Sequence, residues 1–154
     1  MNSTNIVPAT ADHVAALLPN IREADVAEFI AASGQTPVEV LEHALRVSTR
    51  AWAGVVKGEV IGIFGVAPSS LIGGRGTPWL VGSTLIERNY RIFLRNSRPV
   101  VSEFLSLYPH LENFVDQRNH VAKAWLHWLG FHLEDPTPYG VQGLPFHRFH
   151  MEKK

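Results

Sequence analysis

The sequence predicts one mixed α/β domain over residues 1–154, with helices first, then a hairpin-rich sheet, then a strand–helix–strand ending. Three observations carry this. Apolar residues between 21 and 47 recur at helical spacing. Those between 51 and 82 switch to strand-like runs around a Lys57-Gly58 turn signal. The run "LENFVDQRNHVAKAWLHWLGF", residues 111–131, joins an alternating strand, an Asn cap and a helical apolar stripe. A length of 154 residues suits a single core. Hydrophobic content of 45% against 18% charged places the chain among globular rather than disordered sequences.

The elements follow in order. "NIVP" is a short apolar run that reads as an opening strand. Thr10 or Asp12 caps a short helix through Leu18, which Pro19-Asn20 ends. Ile21, Val26, Phe29 and Ile30 mark a second helix, stopped by Gly34. Thr36 caps a third, Pro37 fits its first turn, and Val38, Leu41, Leu45 and Val47 are its expected buried side. Ala51–Val56 and Glu59–Ala67 form a hairpin. "SSLIGGRG" is a loop, and "TPWLVG" is the next strand, with Pro78 suited to its start and not its middle. Thr84 and Glu87 match a capping box, so a helix begins there, with Ile86, Tyr90, Phe93 and Leu94 as its stripe. Ser97 and Pro99 restart a helix through about Leu107. "LENFVD" is a strand, Asn119 caps the last helix and Gly130 ends it. "FHLE" and "FHRFHMEK" are closing strands around the Pro- and Gly-rich "DPTPYGVQGLP".

Composition excludes several classes. The formal net charge is zero, so a whole-protein electrostatic partner such as duplex DNA is not expected. The absence of cysteine removes disulfides, thiolate metal sites and cysteine nucleophiles. No basic region followed by an apolar block opens the chain, so no signal peptide is expected. No apolar run reaches the roughly 20 residues of a membrane helix. Charge is nevertheless segregated. Asp12, Glu23, Asp25, Glu28, Glu39 and Glu42 stand against Arg22 and Arg46 early in the chain; Arg88, Arg91, Arg95 and Arg98 stand against Glu87 in the middle. Such asymmetry can guide a ligand or a neighbouring subunit.

In "NHVAKAWLHWLGF", Asn119, Ala122, Gly130 and Phe131 stand at a spacing that resembles the last helix of the GNAT superfamily of N-acetyltransferases. The preceding strand and the element order from about residue 51 onward resemble it too. An aromatic strand, an Arg-rich helix with Phe93, "L-x-N-x-V", the Asn119 helix and a closing "F-x-x-F" strand are similar to GNAT-like proteins of tailed bacteriophages, one group of which are internal virion proteins. The resemblance implies two neighbouring parallel strands, here 78–82 and 111–116, that splay to admit the pantetheine arm of acetyl-CoA or CoA. It implies cofactor contacts at Leu80, Val81, Gly82, Ser83, Thr84, Arg88, Asn119 and Leu126, with Gly82-Ser83-Thr84 as the phosphate-binding turn. Helix starts hold phosphate because their N–H groups are free and their dipole is positive. It further implies an amine substrate. For a phage protein it implies structural or host partners and a location in the host cytoplasm or the virion.

Two departures from that pattern are visible. The family's Gly-x-Gly or Gly-x-Ala turn is here "VGSTLIER", with one glycine and then Leu85-Ile86; side chains keep a backbone from a phosphate. The family's acid tyrosine corresponds here to Leu126, which cannot donate a proton. Tyr139 or Tyr108 is a substitute acid, and Asp116 and Glu112 are base candidates by position. Two function classes remain: an acetyl-CoA-dependent N-acetyltransferase of weak activity, or a catalytically silent protein that keeps the fold for assembly or host contact.

Other motifs read as structure. Trp125 with Val121, Ala122, Leu126 and Leu129 is a core stripe opposite His120, Lys123 and His127. The arginine ladder is a solvated face, with Arg88 the strongest candidate to meet a CoA phosphate. "GGRGTP" precedes its strand, whereas phosphate loops follow one. His147 and His150 point to opposite faces of a strand, and His120 and His127 lack a carboxylate partner, so no metal is expected. Ser69-Ser70 lack a nucleophile-elbow context.

Overall fold

Helices and strands follow the switches in periodicity in the computed structural model, which describes residues 4–69 and 73–154. The chain runs β1 (Thr4–Pro8), α1 (Ala11–Leu17), a 3-10 turn (Leu18–Asn20), α2 (Glu23–Ser33), α3 (Pro37–Val47), β2 (Arg50–Val56), β3 (Glu59–Pro68) and β4 (Arg75–Gly82). It continues through α4 (Leu85–Arg88), α5 (Tyr90–Leu107), β5 (His110–Asp116), α6 (His120–Leu129), β6 (His132–Leu133), β7 (Thr137–Tyr139) and β8 (Leu144–Glu152). The strands form one sheet in the order β1-β2-β3-β4-β5-β8-β6, with β7 also on β8. Every pairing is antiparallel except β4 with β5.

Local chemistry sets the boundaries. Thr10 and Thr36 each cap a helix in a reciprocal box, with His13 and Glu39 as partners. Gly34 and Gly130 end α2 and α6 in left-handed conformations at φ 71° and 103°. Ala53, Ile63 and Val81 pack against Val14, Leu17 and Leu41 of α1 and α3. Val66, Leu111, Val115 and Phe149 pack against Phe104 of α5 and Phe131 after α6. A third cluster joins Ile61, Ile86, Leu94 and Trp125. The sheet is therefore covered on both faces.

Five local expectations give way to tertiary context. The capping box at Thr84 does not form: Thr84 makes no side-chain cap, and the Glu87 carboxylate turns to Arg22 instead. The helix breaks at Asn89, not near Ser97. α5 then runs without interruption through Pro99. Ser97 Oγ donates to the Phe93 carbonyl at 2.7 Å, and burial of Leu94 and Phe104 offsets the roughly 3 kcal/mol that an internal proline costs. Val38 and Val47 lie exposed, while Leu41 carries the contact of α3. Tyr90 is 41% exposed rather than part of a buried stripe. β7 forms inside the presumed closing loop because β8 offers it a free edge. Ser70, Leu71 and Ile72 of the expected loop lie outside the described residues.

Pro78 sits in the middle of β4, and this placement shapes the molecule. In a strand, the N–H and C=O of one residue point to the same edge. The Pro78 carbonyl accepts Asn113 Nδ2 from β5 at 2.8 Å, so its missing N–H would also have faced β5. The β4–β5 ladder is restricted to Arg75↔His110 and Gly76↔Leu111 and stops there. The strands part where proline has no hydrogen to give.

Candidate functional site

Beyond Pro78 the two strands enclose a cavity of about 290 Å³ that passes through the sheet. Phe29, Val40 and Ala44 line it from the α2–α3 side, and Phe93, Trp125 and Leu126 from the α5–α6 side. Leu80, Val81, Asn119 and Leu126 of the expected contacts line it; Gly82, Ser83, Thr84 and Arg88 do not. Leu80 lies between Pro78, whose carbonyl meets Asn113 of β5, and Gly82, whose N–H and C=O meet Asp25 and Arg22 beyond the same edge of β4, so strand alternation turns the Leu80 N–H and C=O into the wedge. At the narrow end, Asn113 spans the gap: it donates to Pro78 O, and its Oδ1 accepts the Phe114 N–H at 2.8 Å.

The open end is lined by side chains of α2 and its preceding turn. Asp25 Oδ2 accepts the Gly82 N–H at 2.9 Å, and Glu28 Oε1 accepts the Asp116 N–H at 2.8 Å. Each carboxylate thus ends one of the parted strands. Asn119 lies between them, donating from Nδ2 to Asp25 at 3.3 Å and to Glu28 at 3.5 Å, while its Oδ1 caps α6 at Ala122 N. Arg22, 6% exposed, donates to Asp25 at 2.8 Å, Asn119 at 3.2 Å and Glu87 at 3.1 Å, and lies 5.5 Å from the Trp125 ring centre.

These contacts set the protonation chemistry. Burial pushes the Glu28 carboxyl up to about 7, with the nearby Asp25 charge adding to it against the Asp116 and Asn119 bonds. Burial also raises Asp25, outweighing the Arg22 charge and the Gly82 bond. Among the described residues Glu28 Oε2 takes no hydrogen bond, leaving one oxygen free. Tyr139 stacks on Phe114 with ring centres 3.9 Å apart, and burial raises its phenol, which keeps it protonated at neutral pH.

Asp116 and Glu112 stand elsewhere. Burial alone would raise the Asp116 carboxyl, but the Arg118 bonds outweigh it and hold it below the ordinary aspartate value. Glu112 lies at the paired end of β5 and accepts from Arg148 at 2.6 Å and Arg75 at 3.2 Å; the Arg148 bond holds its carboxyl low. Sequence reading passed over Arg22, Asp25 and Glu28 as site residues. Their only signal was three ionisable residues at i, i+3 and i+6, which also describes a solvated helix face.

The phosphate-type turn is saturated. The Gly82 N–H goes to Asp25, the Ser83 N–H to Ile61 O at 2.9 Å, and the Thr84 N–H to Asn20 O at 2.8 Å. The Leu85 N–H goes to Ser83 Oγ at 3.1 Å. A Cβ on Gly82 would meet Ile86 at 2.9 Å and the Arg22 stem at 3.2 Å, so the glycine serves internal packing. Arg88 and Thr84 are exposed, and Ser83 is fully buried. Among the described residues no three His, Asp or Glu side chains are placed to hold a metal, and no helix is long and apolar enough to cross a membrane.

Solved structures superpose on nearly the whole chain. Ard1 from Thermoplasma volcanium superposes with a TM-score of 0.73 at 16% identity, covering 99% of both chains. A GCN5-related N-acetyltransferase from Kribbella flavida gives 0.72 at 18%, over 97% of this chain and 98% of that one. The fold is the GNAT fold. A spermidine N-acetyltransferase from Vibrio cholerae, solved in complex with CoA and spermine, gives 0.70 at 11%, over 97% and 95%. No family profile and no curated protein matches the chain. In this GNAT fold the wedge is lined mostly by apolar side chains, and the backbone N–H groups of residues 82–84 in the turn after β4 are all engaged within the protein.

Proposed function

We propose that the chain binds acetyl-CoA with the pantetheine arm in the β4–β5 wedge and transfers the acetyl group to a primary amine, with Glu28 taking the amine's proton. Bound acetyl-CoA would supply an activated acetyl thioester. Leu80 presents an N–H to the wedge, suited to a developing carbonyl oxyanion. Glu28, with its carboxyl pushed up to about 7 and Oε2 free, is matched to a general base at neutral pH. Tyr139 is the protonated phenol of the cavity and fits the proton donor to the leaving thiolate. The pyrophosphate falls to side-chain cations: Arg22 behind Glu87, and the exposed Arg88. The single observation that carries the reading is the half-buried, one-side-free Glu28 at the open end of a cavity bounded by two parted parallel strands.

The test uses an advantage of composition. The chain has no cysteine, so a thiol reagent added during turnover reads only released CoA. Wild type should release CoA in an amine-dependent manner, and Glu28→Gln should lower kcat/KM by roughly 10²–10⁴. Amine-independent or absent release defeats the proposal.

A second reading rests on the saturated turn and on Leu126. It supposes a catalytically silent phage protein that retains the fold for virion assembly or host contact, in keeping with the resemblance to phage GNAT-like proteins. Co-purification with phage particles supports it, and absence from purified particles counts against it.

A further inference from the structure

We infer that the acceptor amine carries one ammonium and an apolar body the size of an aromatic ring, and that polyamines are excluded. The inference rests on the transferase reading and concerns the acceptor side of the same cavity. On the α2–α3 face the wall is built from Phe29, Ala32, Val40, Ala44, Trp79 and Tyr139. Two of these are fixed in orientation. Trp79 Nε1 donates to Ser48 Oγ at 2.8 Å, and Tyr139 is stacked on Phe114 with 14° between the rings. Ala32 and Ala44 are the short residues of this wall, so they leave room beside α2 and α3.

Charge decides the rest. The carboxylates on the cavity are Asp25 and Glu28. Asp25 is consumed by Arg22, Gly82 and Asn119. One oxygen of Glu28 remains, enough for one ammonium. A second cationic centre would be buried against aromatic and aliphatic carbon without a partner, and an unpaired buried charge is strongly disfavoured. An apolar body gains from leaving water in the same place.

The experiment measures kcat/KM for 2-phenylethylamine, ethylamine and spermidine with saturating acetyl-CoA. The expected order places 2-phenylethylamine at least 10-fold above ethylamine and at least 100-fold above spermidine. Ala44→Phe should cut the 2-phenylethylamine to ethylamine ratio at least 10-fold. Ala32→Leu serves the same purpose should Ala44→Phe fail to fold by circular dichroism. Spermidine turnover equal to or above that of 2-phenylethylamine overturns the inference, as does a ratio that neither variant moves. Should no amine be acetylated, the transferase reading fails. Saturation-transfer NMR without acetyl-CoA then still judges the recess: 2-phenylethylamine signals that appear with wild type and vanish with the filled variant support it. Equal signals from both amines, or none, overturn it.

Discussion

Glu28 Oε1 accepts the backbone N–H of Asp116 at 2.8 Å, tying α2 to the last residue of β5. The bond gives a strand end that has lost its β4 neighbour a substitute partner, and it brings a half-buried carboxyl to the mouth of the cavity. A group whose folded-state pKa lies above its unfolded value contributes stability that is fully present below the unfolded pKa and lost as pH rises through the folded one. For Glu28 that window runs from the ordinary glutamate value of 4.5 to about 7. Thermal melts should therefore show a loss of stability across this range that Glu28→Gln removes. In the same range kcat/KM should rise with an apparent pKa of about 7, because the base works as the carboxylate. A flat profile in both measurements contradicts the assignment.

Pro78 and Asn113 hold the start of the splay. Pro78→Val supplies the N–H that β4 lacks toward β5. Hydrogen exchange should find the new amide protected. Affinity for pantetheine should fall by on the order of fivefold, matching about 1 kcal/mol for one added strand bond that the ligand must displace. An unprotected amide with unchanged affinity removes proline as the cause of the wedge.

Arg22 is a cation with two buried partners and one half-exposed one, Glu87, whose side chain is 51% exposed. If Glu87 holds the place of a phosphate, Glu87→Gln should strengthen CoA binding and leave pantetheine binding unchanged. Arg88→Ala should weaken CoA alone. Equal effects on both ligands assign the phosphates elsewhere.

The same network carries stability. Arg22→Met leaves Asp25 buried without its cation, and removal of one member of a buried pair costs roughly 3–5 kcal/mol. Denaturant titration should show this as a lower midpoint with an unchanged slope. Loss below about 1 kcal/mol would mean that the Gly82 and Asn119 bonds suffice for Asp25.

Fold and site were not equally legible in the sequence. Helix caps at Thr10 and Thr36, the stops at Gly34 and Gly130, and the Lys57-Gly58 turn are local chemistry, and the structure places them where the residues say. The parallel neighbours that the family resemblance implied at 78–82 and 111–116 are adjacent in the sheet, and their ladder is made just before them, at Arg75↔His110 and Gly76↔Leu111. The break at Asn89 and the unbroken α5 through Pro99 did not, because packing of Leu94 and Phe104 overrode a local proline signal. The network at the cavity mouth was least legible. Arg22 meets Asn119 across 97 positions, and Asp25 meets Gly82 across 57, separations at which single-sequence spacing carries no signal.

The most direct test of the central claim is a calorimetric titration of the intact protein with acetyl-CoA, run beside Leu126→Trp, which fills the wedge from α6. Saturable one-site binding to wild type, lost in a Leu126→Trp protein that remains folded, is the predicted result. No heat from wild type at millimolar ligand, or equal binding by both proteins, would contradict a cofactor arm lying between β4 and β5.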